Sequence, residues 1–457
     1  MCYSSISGIW RSSRIRGRGG LLVSNATSGT TRSADERVVV VSSDTHIGPL
    51  LVEQLRDYCP RKYLEAYDDF VGAYQRELEA DDNVPRFIID SVKPGLGLPN
   101  LDSMGHHDMN VRLKEMDEDG VAAEVIFHNS QNGQPMPFRP LSGHFGHDSY
   151  SNPELVAVGT HIYNQWLADV CSIEPDRHAG LAYLPMWDVD AAVKELEWAR
   201  DVGLRGVNFP AMRGDLPPYN TSNWAPLWSA AAALDMPLTT HIGGGSPASF
   251  TGPEAVPLKM FEDAHVFGYR GVHWMIFGGV FERHPDLKLA ITEIAGTWIP
   301  HYLSLLDDIW YGGKKYEGFR EKVPRPASEY FMKNVFFGAS FMAHFEAEQA
   351  VKDGYVDRLM WGSDYPHIES TWQNGFEMNG ETAGRLALRN TFGEIAEPAM
   401  RKMAGETAME VYGFDPEKLH AVASRIAAPT AGDLATRPTE LPRGLPTLAF
   451  RKHSTWT

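Results

Sequence analysis

Eight short apolar segments, each separated from the next by a segment with helical periodicity, constrain the fold of this chain more than any other feature of its sequence. Each is rich in Val, Ile, Leu or Phe and ends at small or polar residues, which is typical of buried parallel strands. Strands that alternate with helices predict an α/β fold with a parallel sheet. The predicted strands cover residues 38–46, 121–127, 179–185, 204–209, 237–240, 287–292, 334–338 and 359–362.

Two α/β architectures produce this alternation, an open doubly wound sheet and a closed barrel. No Gly-x-Gly-x-x-Gly motif follows the first strand, and eight strand–helix repeats match the (β/α)₈ barrel. We therefore predict a (β/α)₈ (TIM) barrel with a long insertion after strand 1, at residues 49–120.

The two ends of the chain differ in composition from the predicted barrel. Residues 1–36 are rich in Ser, Gly and Arg, without an acidic residue before Asp35. We favour a disordered tail or a misassigned start codon, and a transit-like presequence is the alternative. The end of the chain is rich in Pro, Thr and Arg. We predict a barrel at residues 37–426 and a loosely structured C-terminal tail at residues 427–457.

Charge and cysteine content narrow the classes of partner and site. A formal net charge of −17 argues against nucleic acids and anionic membranes as partners, and no apolar run reaches the roughly 18 residues of a membrane helix. The three cysteines, Cys2, Cys59 and Cys171, form no Cys-x-x-Cys pair, which argues against a disulfide framework and a thiolate zinc site. These features predict a cytoplasmic enzyme with a small-molecule substrate and, if it binds a metal, imidazole and carboxylate ligands.

Polar residues follow most of the predicted strands, at the end of a barrel where active sites form. Asp44 and His46 share one face of strand 1, because side chains alternate with period two. Asp364 ends the apolar run of strand 8, and a buried carboxylate there requires an Arg, a hydrogen-bond network or a metal as compensation. The other candidates are His128, Asn208, His241 and Glu293, after strands 2, 4, 5 and 6.

Imidazoles and carboxylates at one barrel mouth predict a site for a divalent cation such as Zn²⁺ or Mn²⁺. The residue after strand 4 is uncharged, so no lysine is present there that could be carboxylated and bridge two ions. The sequence therefore predicts one metal ion.

Two motifs carry a resemblance to a known family: Asp44-x-His46 after strand 1 and the segment Trp361–His367 (Trp-Gly-Ser-Asp-Tyr-Pro-His) at strand 8. Together with His241 and an acid after strand 6, they resemble the amidohydrolase superfamily. The chain is most similar to the branch that contains aminocarboxymuconate-semialdehyde decarboxylase and γ-resorcylate decarboxylase. The resemblance runs from about Val38 to Asp415 and includes the helix at residues 112–117.

This resemblance implies one metal ion held by Asp44, His46, His241 and Asp364, with zinc preferred and manganese as the alternative, in a homodimer. Asp44 could instead only orient His46. Glu293 stands where the decarboxylases have a general acid/base His. It could transfer protons, add a ligand or accept a hydrogen bond. His367 could bind substrate or cap its own loop.

Two reactions fit these residues, non-oxidative decarboxylation and hydrolysis of a small, carboxylated organic substrate. In the first, the metal and Glu293 help to protonate the carbon that loses CO₂. In the second, metal-bound hydroxide attacks, and Asp364 or Glu293 accepts the proton. A barrel fold alone cannot choose between chemistries. The alternative from a different class is a non-catalytic barrel that binds a ligand or partner without metal.

Overall fold

The computed structural model describes residues 35–79, 99–139, 152–212, 214, 216–242, 258, 261–294 and 296–451. Its main sheet has eight parallel strands that follow one another in chain order. The predicted (β/α)₈ barrel is thereby confirmed. The strands are β1 (Val41–Ile47), β2 (Ala123–His128), β3 (His178–Tyr183), β4 (Gly206–Asn208), β5 (Leu238–His241), β6 (Leu289–Thr292), β7 (Val335–Ser340) and β8 (Leu359–Gly362).

The barrel closes where β1 meets the segment after β8. Thr45 pairs with Tyr365 as a parallel bridge. The amide of Asp364 donates to the carbonyl of Asp44 at 2.9 Å, and the amide of His46 donates to the carbonyl of Tyr365 at 2.7 Å. The two motifs of the sequence, 320 residues apart, are thus joined by backbone hydrogen bonds.

Helices surround the barrel between successive strands, and a small antiparallel ribbon, β9 (Glu377–Met378) and β10 (Glu381–Thr382), follows β8. The described α-helices are α1 (Leu64–Glu79), α2 (Met109–Asp119), α3 (Pro153–Cys171), α4 (Val189–Asp201), α5 (Ala225–Ala233), α6 (Arg270–Phe277), α7 (Val280–Arg283), α8 (Ile299–Gly312), α9 (Phe319–Lys322), α10 (Ala327–Asn334), α11 (His344–Asp353), α12 (Ala383–Phe392), α13 (Glu397–Arg401), α14 (Thr407–Tyr412) and α15 (Pro416–Arg425).

Strand 7 differs from its prediction in a way that matters for the site. Predicted to end at residue 338, it continues through Ala339 to Ser340, with all six residues buried. The last two pair with Trp361 and Gly362 of β8. Small side chains at 338–340 weaken the apolar signal from which the strand was predicted, although they fit between neighbouring strands.

Helix α2, which ends the insertion after β1, has clear local signals at both ends. The side chain of Asp108 accepts from the amides of Asn110 and Val111 at 2.9 and 3.3 Å, as an N-cap residue does. Gly120 ends the helix with φ of 77°, a left-handed conformation that glycine adopts without steric cost. The helix is thereby aligned with the start of β2.

The segment after Ala427 contacts the barrel more closely than its composition predicted. It contains no helix or strand within residues 427–451, but Leu434 and Ala449 are buried. Arg451 forms a 2.6 Å ion pair with the buried Glu346 at the start of α11. Composition could not predict this contact, because it depends on a partner about 100 positions away. Residues 1–34, most of the predicted N-terminal tail, lie outside the described residues.

None of the helices in the described ranges combines the length and the apolar character that crossing a membrane requires.

Candidate functional site

Four predicted site residues meet at the mouth of the barrel, at the ends of β1, β5 and β8. His46 Nε2 lies 3.2 Å from Asp44 Oδ1 and 3.2 Å from Asp364 Oδ1. His241 Nε2 lies 3.5 Å from the same oxygen of Asp44. The side chains of Asp44 and Asp364 are fully buried, and that of His46 is 3% exposed. The spacing Asp-x-His therefore brings both side chains to one face, as predicted.

The atoms that meet here lack other partners. Asp44 Oδ1, His46 Nε2, His241 Nε2 and Asp364 Oδ1 are all buried, and none has a hydrogen-bond partner among the described residues. Buried polar atoms without partners cost free energy. Asp44, His46 and His241 bring ligand atoms within 4.8 Å of one another, and Asp364 does so with His46 and His367. Because His46 belongs to both groups, the four atoms indicate a shared partner next to its Nε2.

In both His46 and His241, the hydrogen bond of Nδ1 fixes the tautomer of the imidazole ring. His46 Nδ1 lies 2.9 Å from the carbonyl oxygen of His128, and His241 Nδ1 lies 2.8 Å from that of Ile242. A carbonyl only accepts, so in the neutral rings Nδ1 carries the proton and Nε2 presents a lone pair. Metal-binding histidines are held in this way.

The second oxygen, Oδ2, of the Asp44 and Asp364 carboxylates has a polar partner as well. Asp44 Oδ2 accepts a hydrogen bond from Ser340 Oγ at the end of β7. His367 Nδ1 lies 3.1 Å from Asp364 Oδ2 and 3.0 Å from Asp364 Oδ1, so it faces both oxygens of this carboxylate. Asp44 Oδ1 thus lies next to both imidazole Nε2 atoms, and Asp364 Oδ1 lies next to that of His46. Imidazole nitrogens and carboxylate oxygens suit a divalent ion such as Zn²⁺ or Mn²⁺. The residues present fit one divalent cation.

Glu293 lies beside these atoms, on the residue that follows β6. Its Oε2 is 3.6 Å from His241 Nε2, and its side chain is 11% exposed. Both Glu293 and Asp364 have positive φ, 64° and 59°. Non-glycine residues in this region carry backbone strain, which proteins retain mostly at functional sites.

Burial and mutual charge shift the pKa values of the group. Burial, reinforced by the charge of Asp364, raises the pKa of Glu293 well above its usual value. Burial alone would lower the pKa of His241, but the charges of Asp44 and Glu293 outweigh it and raise this pKa to about 9. Burial would raise the pKa of Asp44, yet His241 and His46 hold it well below its usual value. The site therefore favours positive charge close to Asp44.

His367 contacts the cluster rather than open space. Its ring stacks on His46 with centroids 4.0 Å apart, and its Nε2 lies 2.8 Å from the carbonyl oxygen of Asn129. With Nδ1 directed at Asp364, both ring nitrogens have partners. Burial alone would lower its pKa, but the charge of Asp364 outweighs burial and raises the pKa to about 9. This geometry gives His367 a part in holding Asp364, and a role in substrate binding stays a prediction.

The remaining candidates are placed less directly. His128 supplies its carbonyl oxygen to His46, and Asn208 donates to the hydroxyl of Tyr183 at 2.7 Å. Two further features of the sequence that could contact a substrate, the glycine run Gly243–Gly245 and Arg213, lie outside the described residues.

Sequence reasoning missed Ser340 and gave no role to Arg112. Ser340 was missed because strand 7 was predicted to end two residues earlier. The available signal for this residue was a polar side chain at the position where strand 7 ends in the structure. The sequence predicts a helix at residues 112–117 but does not indicate that Arg112 is buried. The role of this fully buried arginine follows only from the residues that it contacts in the structure.

A family model described as "Amidohydrolase" matches residues 111–414, more than half of the chain. Among related proteins, a gamma-resorcylate decarboxylase of a Rhizobium species is 24% identical over 303 residues, which cover 62% of this chain and 86% of that protein. A 2-amino-3-carboxymuconate-6-semialdehyde decarboxylase of Dictyostelium discoideum is 24% identical over 329 residues, which cover 68% of this chain and 78% of that protein.

Solved structures resemble the fold. A 5-carboxyvanillate decarboxylase of Novosphingobium aromaticivorans, complexed with manganese and 4-hydroxy-3-methoxy-5-nitrobenzoic acid, aligns with a TM-score of 0.57. It is 16% identical in sequence, and the alignment covers 84% of this chain and 100% of that one.

Proposed function

The chain belongs to the amidohydrolase family, and on that premise we propose that it is a metal-dependent, non-oxidative decarboxylase of a small hydroxylated aromatic carboxylic acid. The observation that carries the proposal is the set of four buried, unpartnered ligand atoms on Asp44, His46, His241 and Asp364. The related decarboxylases support the reaction class.

In this proposal the four residues hold one divalent cation, and Asp44 is a ligand as well as a neighbour of His46. The bound cation supplies a Lewis acid that binds and polarises substrate oxygens. Manganese is the first candidate, because a solved neighbour contains it, and zinc is the second. The residues that hold the imidazole and carboxylate groups fix the direction of each ligand atom before any cation arrives.

Glu293 is the proposed proton carrier. It lies at the mouth, with its Oε2 3.6 Å from His241 Nε2. Decarboxylation adds one proton to the ring carbon that carries the carboxylate. The bond to the carboxylate carbon then breaks, its electron pair returns to the ring, and CO₂ leaves. In our proposal Glu293 donates that proton and regains one from solvent. General acids of this kind contribute about 10²- to 10⁴-fold to a rate.

The experiment compares decarboxylation with hydrolysis on the same preparation. Manganese-loaded protein is incubated with 2,6-dihydroxybenzoate and 5-carboxyvanillate, and separately with aromatic esters and lactones. We expect CO₂ and the decarboxylated phenol from at least one acid and no cleavage of the esters or lactones. Hydrolysis without CO₂ release would overturn the decarboxylase assignment in favour of the hydrolase.

Metal content separates both reactions from a non-catalytic barrel. The elemental analysis uses the unmodified protein, a His241→Ala variant and, as the matched control, a His161→Ala variant. His161 pairs with Glu195 between helices α3 and α4, outside the cluster. We expect about one metal ion per chain in the unmodified protein and the control, and little in His241→Ala. Equal, near-zero metal in all three would end the metalloenzyme proposal.

A further inference from the structure

Arg112 of helix α2 is fully buried outside the barrel, against β1 and the segment that follows β8. Its Nη1 donates to the carbonyl oxygen of His46 at 2.7 Å and to that of Gly105 at 3.3 Å. The face of its guanidinium lies 4.6 Å from the ring centre of Tyr365. One side chain thus contacts the backbone of one ligand residue and the residue next to another.

Glu124 of β2 balances the charge of Arg112. Arg112 Nε and Nη2 donate to its carboxylate at 2.8 and 2.6 Å, as a two-pronged pair. The same carboxylate accepts from Thr45 Oγ1 at 2.8 Å and lies 3.0 Å from His178 Nδ1. Thr45 is the residue between Asp44 and His46, so the buried pair contacts β1 at two successive positions.

The peptide segment of His46 is consequently held from two directions. Its amide donates to the carbonyl of Tyr365, and its carbonyl accepts from Arg112. Tyr365 is fixed in turn, because its hydroxyl donates to the carboxylate of Glu115, one turn further along α2. Arg112 therefore connects the backbone of His46 with the segment that carries Asp364.

Stability alone does not account for such an arrangement. A buried ion pair often contributes no more to stability than well-packed apolar side chains, because both charges lose their hydration. Its geometry is more specific: a guanidinium makes several directed hydrogen bonds at once, which an ammonium group cannot reproduce. The bond to the carbonyl of His46 is one of this directed set.

We propose that Arg112 is a positioning residue for the metal centre, which sets the spacing between His46 and Asp364. The inference rests on the proposed function, since it assumes that these two residues bind a cation. Residues that orient metal ligands typically change metal affinity by about 10- to 100-fold when they are replaced. We expect an effect of that size.

The test measures the Kd for Mn²⁺ by calorimetry on purified, chelator-treated full-length protein. Arg112→Lys keeps the positive charge but loses the planar guanidinium, which makes several directed hydrogen bonds at once. We expect the Kd of this variant for Mn²⁺ to rise at least about 10-fold. The double variant Arg112→Met with Glu124→Gln removes both charges together, which avoids an unpaired buried charge. We expect the double variant to fold and to show the same loss of affinity.

Arg177→Lys is the matched control. Arg177 is also buried and donates to backbone carbonyls, those of Ala122 and Val121 at 2.9 and 3.0 Å. These carbonyls precede β2, away from the ligand residues. We expect its Mn²⁺ affinity to equal that of the unmodified protein.

A second readout separates positioning from a general loss of stability. The visible spectrum of each protein at saturating Co²⁺ reports the ligand geometry, and we expect it to change in both Arg112 variants and not in Arg177→Lys. Unchanged Mn²⁺ affinity and Co²⁺ spectrum in the folded double variant would overturn the inference while the unmodified protein still bound metal. Absence of metal binding in the unmodified protein would instead overturn the proposed function, and this inference with it.

Discussion

The two sides of the barrel mouth hold their functional side chains in different ways. At β1 and β8, the side chains of Asp44, His46 and Asp364 are at most 3% exposed. Asp44 is held by Ser340 of β7, and His46 by the carbonyl of His128 at the end of β2. Asp364 is held by His367, three residues further along its own segment. At β5 and β6, His241 and Glu293 are 15% and 11% exposed, and His241 Nδ1 bonds to the carbonyl of the next residue, Ile242.

In the proposed function, the more deeply buried side supplies three of the four ligands, and the more exposed side supplies His241 and the proton carrier Glu293. Ligands that bind tightly need fixed directions, which buried hydrogen bonds provide. A group that exchanges protons with a substrate needs access to the mouth. We therefore call β1 and β8 the binding side and β5 and β6 the open side, and each prediction below tests that division.

The largest effect is expected when a ligand is removed from either side. We expect His46→Ala and His241→Ala each to lower decarboxylation by about 1,000-fold or more, because the cation provides the Lewis acid for the reaction. We expect His46→Ala to lose more Mn²⁺ affinity than His241→Ala, since His46 faces both Asp44 and Asp364. Calorimetry with Mn²⁺ and CO₂ assays measure both quantities. A greater loss of affinity in His241→Ala would reverse the division.

A second, smaller effect should separate the two functions. We expect Glu293→Gln to lower decarboxylation by about 10²- to 10⁴-fold and to leave the Kd for Mn²⁺ within about threefold, because the amide keeps the shape of the side chain but is not an acid. The assay is kcat together with metal titration. If Mn²⁺ affinity falls in step with kcat, Glu293 acts as a ligand beside His241, and the open side has no separate proton carrier.

Ser340→Ala tests the binding side through a single hydrogen bond. Ser340 Oγ donates to the Asp44 oxygen that faces away from His46, and we expect its removal to raise the Kd for Mn²⁺ about 10-fold. The matched control is Ser43→Ala. Ser43 is equally buried in β1, but its hydroxyl donates to the carbonyl of Met360, which is no ligand residue. Equal Kd values for the two variants would show that Asp44 needs no support from β7.

Much of the fold, and the meeting of the four candidate ligands, could be predicted from the sequence because both depend on local patterns. Buried strands are recognised by their apolar runs, and a closed barrel brings all strand ends to one mouth. This is why Asp44, His46, His241 and Asp364 could be predicted to lie together from residues about 320 positions apart.

The supporting residues could not be predicted in the same way, because their roles depend on packing between distant segments. Ser340 contacts Asp44 from 296 positions away, and no local pattern marks that pairing. Arg112 and Glu124 are only 12 residues apart, yet their meeting depends on how α2 packs against β1. Arg451 contacts Glu346 of α11, although Arg451 belongs to a segment whose composition predicted loose structure. Local composition does not encode such partners.

The smallest effect on the site is expected at Asp119, although its effect on stability is large. Asp119 ends α2, the helix that carries Arg112, and is 3% exposed. Burial raises its pKa to about 7, although hydrogen bonding to Thr382 and the charge of Arg385 oppose the shift. The pKa of this carboxyl group is thus higher in the folded than in the unfolded state. Such a group destabilises the folded protein once the pH exceeds the pKa of the unfolded state, so the free energy of unfolding falls from about pH 4 to pH 7.

Asp119→Asn should remove that loss, because the amide does not ionise. The shift from 3.8 to about 7 corresponds to about 4 kcal/mol, so we expect a gain in the free energy of unfolding approaching that value at pH 8 and no gain below pH 4. Urea unfolding of the metal-free protein at both pH values measures it. We expect the Kd for Mn²⁺ to stay unchanged, since Arg112 reaches His46 through its own side chain. A change in Kd at Asp119 would mean that the whole helix, rather than one arginine, positions the binding side.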